Sequence, residues 1–211
     1  MLLGHAKVSQ ESLPKESPWL DAHVADHLRI NVRDVAVSQF DLALAVGVLV
    51  ASEQIDPARV EQAVEFYRER FDTDGWREHA IYAGIGDTVA ALAADGHRLA
   101  VVTAKNEPHA RRIVEHLPFG GHFEDIIGAT PCGRLSHKPE LIGEALARLG
   151  LAADGCWMVG DRHMDIHGAR HHGMPSVGVL WGFGGEAELR EAGATHLALS
   201  PAGLRGLFAA V

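Results

Sequence analysis

The chain has 211 residues, 47% of them hydrophobic, and its 19 Lys and Arg against 28 Asp and Glu leave a net charge of -9 at pH 7. That length and apolar share can bury one sizeable core with a smaller insert or extension. The acidic balance argues against nucleic acid or an anionic membrane surface as a partner, and any phosphate site must carry its own local positive charge.

Taken in chain order, the opening stretch "MLLGHAKVSQESLPKESP" is polar and lacks the apolar centre of a signal peptide. The longest apolar run, Leu42 to Ala51, is too short to span a bilayer. Cys132 and Cys156 are far apart and form no Cys-x-x-Cys, which fits a reducing cytoplasm rather than a disulfide framework or a cysteine-based zinc site. "DPARVEQAVEFYRERF" is amphipathic, with Asp56 as N-cap, Pro57 at the first helical position and Val60, Val64 and Tyr67 on one side. Residues 1–80 therefore read as a mainly helical, cap-like region, and residues 81–211 as a separate core.

From there a different rhythm begins. A glycine-bearing turn leads into a helix that ends at Gly96. Short apolar strands then alternate with helices of about ten residues. Strands are expected near 98–103, 125–128, 156–159, 176–180 and 196–199. The helices between them are "EPHARRIVEHL", with Pro108 in its first turn, "KPELIGEALARLG", "MDIHGARHHG" and "GEAELREAGA". Such alternation implies an α/β fold, a parallel Rossmann-like sheet with helices on both faces. Ligands of these sheets gather beyond the carboxyl ends of the strands, which places Thr103, Asp161 and the loop before Lys138 on one rim.

From about Gly75 to the C-terminus the chain resembles the haloacid dehalogenase superfamily, in particular its phosphoglycolate-phosphatase-like branch with a helical cap. "LAVVTAKN" resembles the second motif of that family, "SHKPELI" the third and "VGDRHMDI" the fourth, in the family's order. "VLWGFG", "ELREAGA" and "IYAGI" also resemble that branch. The resemblance implies a Mg2+-dependent phosphatase for a small phosphorylated metabolite, phosphoglycolate-like or a 5'-nucleotide, working as a monomer or homodimer. It implies that Thr103 hydrogen-bonds the transferred phosphoryl group and that Lys138 neutralises charge on nucleophile and phosphate. Asp161 and Asp165 would hold the ion, Asp161 being the better ligand. Chemically this is coherent, since a phosphate monoester resists an approaching anion until a cation and a fixed ammonium offset the developing charge.

The first motif of the family is an apolar strand ending in Asp-x-Asp-Gly-Thr, whose first Asp attacks phosphorus. No such strand is found, and the nearest fragment is "VSQFDLALA", with Asp41 as a weak nucleophile candidate and Ala43 at the acid-base position. The gap leaves two alternatives for the sheet: another segment such as "LALAVGVLV" fills the central slot, or the slot stays open with unpaired backbone groups. It also leaves a second function open, a truncated or catalytically impaired relative that keeps a phosphate and metal pocket.

Plainer roles stand beside these. Asp161 could be an N-cap with Asp165 in the first turn of its helix. Arg162 could contact substrate or cap, or neutralise nearby carboxylates, and Lys105 could face the leaving group of the substrate. His163, His167 and His171 could form a zinc face, or flank a buried stripe of Ile166, Ala169 and Gly173. Trp157 and Trp181 read as core or interface aromatics.

Overall fold

The computed structural model describes residues 2–3, 69, 71–77, 79–130 and 135–208. The chain divides into two compact units, Met1–Ala6 with Ile81–Val211, and Lys7–Ala80. Among its described residues the first unit holds one sheet of six parallel strands.

The elements are β1 (Leu2–Leu3), α1 (Ile85–Ala94), β2 (Ala100–Asn106), α2 (Glu107–His116), β3 (Asp125–Ala129), α3 (Lys138–Leu149), β4 (Met158–Gly160), α4 (His163–His171), β5 (Ser176–Val179), α5 (Glu186–Ala192), β6 (His196–Ala198) and α6 (Pro201–Phe208). Across the sheet the order is β3-β2-β1-β4-β5-β6. The expected parallel sheet is present, and its strands lie within a few residues of the expected spans. β2 runs on past Thr103 to Asn106, which puts Lys105 in the strand.

The period of two along the strands builds a core on each face. Met158 joins Val102, Ile127, Leu141, Ile142 and Ala169 in one buried cluster, which includes the apolar sides of α3 and α4. Its neighbour Val159 points the other way, into a cluster with Val89, Leu92, Val177, Leu204 and Phe208 that draws on α1 and α6. Helices thus cover both faces. Trp157 and Trp181 pack partly buried against the second cluster. In α4 the buried stripe is Ile166, Gly168 and Ala169, whereas Gly173 is exposed beyond the helix end with φ +69°. Gly173 therefore ends the helix rather than lining its inner face.

The first alternative for the central slot holds, another segment filling it, but the segment differs from the example the sequence suggested. Leu2–Leu3 fills it, pairing in parallel with β2 (Leu2 to Ala100, Leu3 to Val101) and with β4 (Leu2 to Met158, Leu3 to Val159). Two residues set in a polar stretch carry no strand signal of their own. Their ladder is dictated by the open edges on either side, whose buried N–H and C=O groups must be paired.

In the second unit, Phe71 and Trp76 are buried and Gly75–Arg77 forms a 3-10 turn. "DPARVEQAVEFYRERF", "LALAVGVLV" and Asp41 lie almost wholly or wholly outside the described residues, so the helical reading of residues 1–80 remains an expectation. Among the described residues no helix is long and apolar enough to cross a membrane.

Candidate functional site

The strand order reverses at β1, with β2 and β3 on one side of it and β4, β5 and β6 on the other. In open parallel sheets the crevice beyond the strand ends at such a reversal is where ligands bind. Thr103 is the fourth of the seven residues of β2, and Asp161 is the first residue after β4. Lys138 opens α3, which follows β3.

A chain of polar contacts joins these segments. The Lys138 ammonium lies 2.7 Å from Asp165 Oδ1, and donates to the carbonyl of Val102 at 3.0 Å, next to Thr103. Asp165 Oδ2 accepts the backbone N–H of Asp161 and of Arg162, each at 3.1 Å. Asp165 sits at the third position of α4 with Arg162 as N-cap, so it caps the helix that carries it. The plainer reading of Asp161 as N-cap is thereby replaced. Thr103 is buried, and its Oγ1 accepts the N–H of Lys105 at 3.1 Å.

Asp161 is 1% exposed. Its Oδ2 accepts the N–H of Phe183 at 2.7 Å and its carbonyl accepts that of Gly184 at 2.9 Å. Its Oδ1 is buried and has no hydrogen-bond partner among the described residues. Burial pushes the Asp161 carboxyl above its usual range against the pull of the Phe183 N–H, and the Asp165 carboxylate adds to the rise. Burial likewise lowers the Lys105 ammonium.

Arg162 and His163 are drawn away from this centre by Glu188 on α5, a residue the sequence does not single out. Glu188 Oε1 accepts from Arg162 Nε at 2.9 Å and from the His163 N–H at 2.9 Å, and lies 2.8 Å from His163 Nδ1. Burial alone would favour the neutral Glu188 acid, but these donors outweigh it and hold the group at about 2. Among the described residues no three His, Cys, Asp or Glu side chains could share a metal ion, so His163, His167 and His171 do not form a zinc face.

Leu3 is level with Val101 and Val159, and Thr103 and Asp161 each come two residues after those partners. The same count from Leu3 reaches His5, outside the described residues; the sequence there reads Gly4-His5-Ala6-Lys7, with no carboxylate before Glu11. The expectation that the Asp-x-Asp motif is absent is corrected by the sequence itself, which spells Asp-x-Asp-Gly once, at Asp72-Thr73-Asp74-Gly75. It belongs to the unit Lys7–Ala80 and lies where a helix gives way to the 3-10 turn. Thr73 Oγ1 donates to the carbonyl of Glu69 at 3.1 Å, and Asp72 and Asp74 are exposed. It is a helix terminus, not a strand-borne first motif.

Residues 35–179 match the family described as haloacid dehalogenase-like hydrolase. The chain belongs to that family. Relatives within it carry different names. A 5'-nucleotidase of Pseudomonas aeruginosa is 43% identical over 150 residues, 71% of this chain and 68% of that protein. The tyrosine-protein kinase PtkA of Mycobacterium tuberculosis is 42% identical over 124 residues, 59% of this chain and 43% of that one. Among solved structures, a predicted phosphatase from Clostridium acetobutylicum superposes with a TM-score of 0.74 at 27% identity, covering 100% of this chain and 98% of that one. The structure links the segments of Thr103, Lys138 and Asp165 directly, through the Lys138 ammonium to Asp165 and to the Val102 carbonyl.

Proposed function

We propose that this chain carries the phosphoryl-handling site of a Mg2+-dependent phosphatase that acts on a small phosphomonoester, a 5'-nucleotide or a phosphoglycolate-like acid. One observation carries the reading: Asp161 Oδ1 is a buried carboxylate oxygen with no hydrogen-bond partner among the described residues, at the reversal of the sheet, and Asp165, which accepts the Asp161 N–H, pairs with the Lys138 ammonium. A buried polar atom without a partner calls for one. Mg2+ prefers oxygen and is commonly held by one or two carboxylates with water and substrate phosphate, so this donor set fits it.

Asp161 would hold the ion through Oδ1. Both Asp165 oxygens are already engaged, so Asp165 sets the geometry by capping α4 and fixing Lys138. When bound, the ion neutralises charge that develops on the phosphoryl group. Lys138 adds a buried positive charge on the same rim, and Thr103 would donate its hydroxyl proton to a phosphoryl oxygen. Lys105, in the strand beside Thr103, would meet the leaving group. Arg162 is committed to Glu188, which favours a role in shaping the rim over direct substrate capture. The names of the nucleotidase and kinase relatives both denote phosphoryl chemistry, and the first supports the substrate class.

A second reading, binding with little turnover, is favoured by the sequence after β1, where no carboxylate occurs before Glu11. Removing a covalent nucleophile costs several powers of ten in rate, each about 1.4 kcal/mol of barrier. The test is hydrolysis of p-nitrophenyl phosphate and of a panel of phosphomonoesters with Mg2+, by the parent, Asp41→Asn and Asp161→Asn, with beryllium fluoride to trap an aspartyl-phosphate mimic. Turnover lost in both variants supports the full phosphatase with Asp41 attacking. Slow or absent turnover with Asp161-dependent Mg2+ binding supports the second reading. Turnover unaffected by either change defeats both.

A further inference from the structure

The turn Gly182-Phe183-Gly184, between β5 and α5, has no part in the four motifs yet makes two of the three hydrogen bonds found for Asp161 among the described residues. We propose that this turn is the positioning element of the cation site: it locks the Asp161 carboxylate so that Oδ1 alone faces the ion. The inference rests on Asp161 being the cation ligand.

Each polar atom of Asp161 supports it. The N–H goes to Asp165 Oδ2, the carbonyl to the Gly184 N–H, and Oδ2 to the Phe183 N–H. Only Oδ1 is left. Turning the side chain to present Oδ2 instead would break the bond to Phe183, at 2.7 Å the shortest of the three. The turn is also shaped to the aspartate by what it lacks. A Cβ at Gly182 would run into Asp161 Cβ and Oδ2, and one at Gly184 into the Asp161 carbonyl oxygen. At Gly185, one residue on, a Cβ would meet nothing within 4 Å. Phe183 contributes its backbone N–H, and the residue is 37% exposed.

The far end of the same segment is anchored too, because Glu188 holds Arg162 and His163. Residues 182–188 thus grip Asp161, Arg162 and His163 from the β5 side. A ligand oxygen held this way loses little rotamer freedom on binding, and a small hard cation that demands near-octahedral geometry gains from the fixed direction. Groups that orient a metal ligand in this manner commonly change affinity by roughly 10- to 100-fold when removed.

Mn2+, counted by its electron paramagnetic resonance signal, serves as the probe on the full chain, with circular dichroism and melting temperature as fold controls. Asp161→Ala is expected to weaken Mn2+ binding, and Gly182→Ala to weaken it by roughly 10- to 100-fold. Gly185→Ala should stay within roughly twofold of the parent. In an Asp161→Ala background, Gly182→Ala should cost nothing more, which a general loss of structure would not produce. Should Gly182→Ala fail to fold, the Phe183 amide proton of the otherwise unchanged protein remains readable by NMR, and Asp161→Ala should move it upfield. Full Mn2+ affinity in Asp161→Ala would defeat the ligand reading beneath the proposal. A folded Gly182→Ala with parental affinity, or a Phe183 amide unmoved by Asp161→Ala, would overturn the positioning role while leaving Asp161 as ligand.

Discussion

Replacing Lys138 by Met removes a charge and keeps most of the side-chain volume. The ammonium and its partner Asp165 have side chains only 5% and 1% exposed, so solvent cannot screen the change. Met leaves the Asp165 carboxylate buried beside the equally buried Asp161, and the nearest arginine in sequence, Arg162, is tied to Glu188. Breaking one side of a buried pair in this way costs about 3–5 kcal/mol. For a chain of this size each kcal/mol moves the melting temperature by roughly 2–4 °C, so a fall of ~6–20 °C is expected. Urea unfolding followed by circular dichroism gives the free energy directly. Adding Asp165→Asn should recover more than half of the loss, because Asn can still accept the Asp161 and Arg162 N–H groups and no longer carries the orphaned charge. A loss below about 1 kcal/mol, the scale of an exposed pair, would refute the reasoning. So would a double variant no more stable than Lys138→Met.

Three further outcomes are expected. Asp161→Asn should unfold at higher temperature than the parent at neutral pH: the raised folded carboxyl means stability falls as pH climbs from the ordinary carboxyl range through the folded value, so the advantage should vanish in acid, as melting curves across pH would show. Glu188 is the opposite case, held at about 2 against an ordinary 4.5, so its contribution is present above the ordinary value and lost as pH falls towards the folded one; Glu188→Gln should flatten the stability profile across that interval. Gly160→Ala would drive a Cβ into the Asp165 carboxylate and should cost at least about 2 kcal/mol in urea, with loss of Mn2+ binding in the same preparation.

The strands after Gly96 were legible because each is a short apolar run between turn signals, and their faces follow from the period of two. The rim was legible in part, since Asp161 and the start of α3 follow strand ends once the sheet is parallel, whereas Thr103 proves to lie in mid-strand. β1 was not legible, because Leu2 and Leu3 become a strand only through non-local pairing with Ala100, Val101, Met158 and Val159. Glu188 was hidden for a similar reason: it lies 26 residues from Arg162 and 25 from His163, and nothing local marks it as their acceptor. The glycines of "WGFG" were visible as residues, but the need for them appears only when Asp161 is seen against the turn.

The place of Leu2–Leu3 also orders the birth of the protein. β1 precedes both of its neighbours in the chain, and its slot is finished late, because one wall of that slot, β4, is not complete until Gly160 has been made. Until then the two leucines have at most one neighbour, and closing so long a loop onto two residues brings little return for the entropy it removes. The half of the sheet made by β2 and β3 can form early and wait. Completion of the middle of the sheet, and with it the alignment of the rim that carries Thr103 and Asp161, is therefore a late event, and the growing chain carries an exposed β2 edge until it happens.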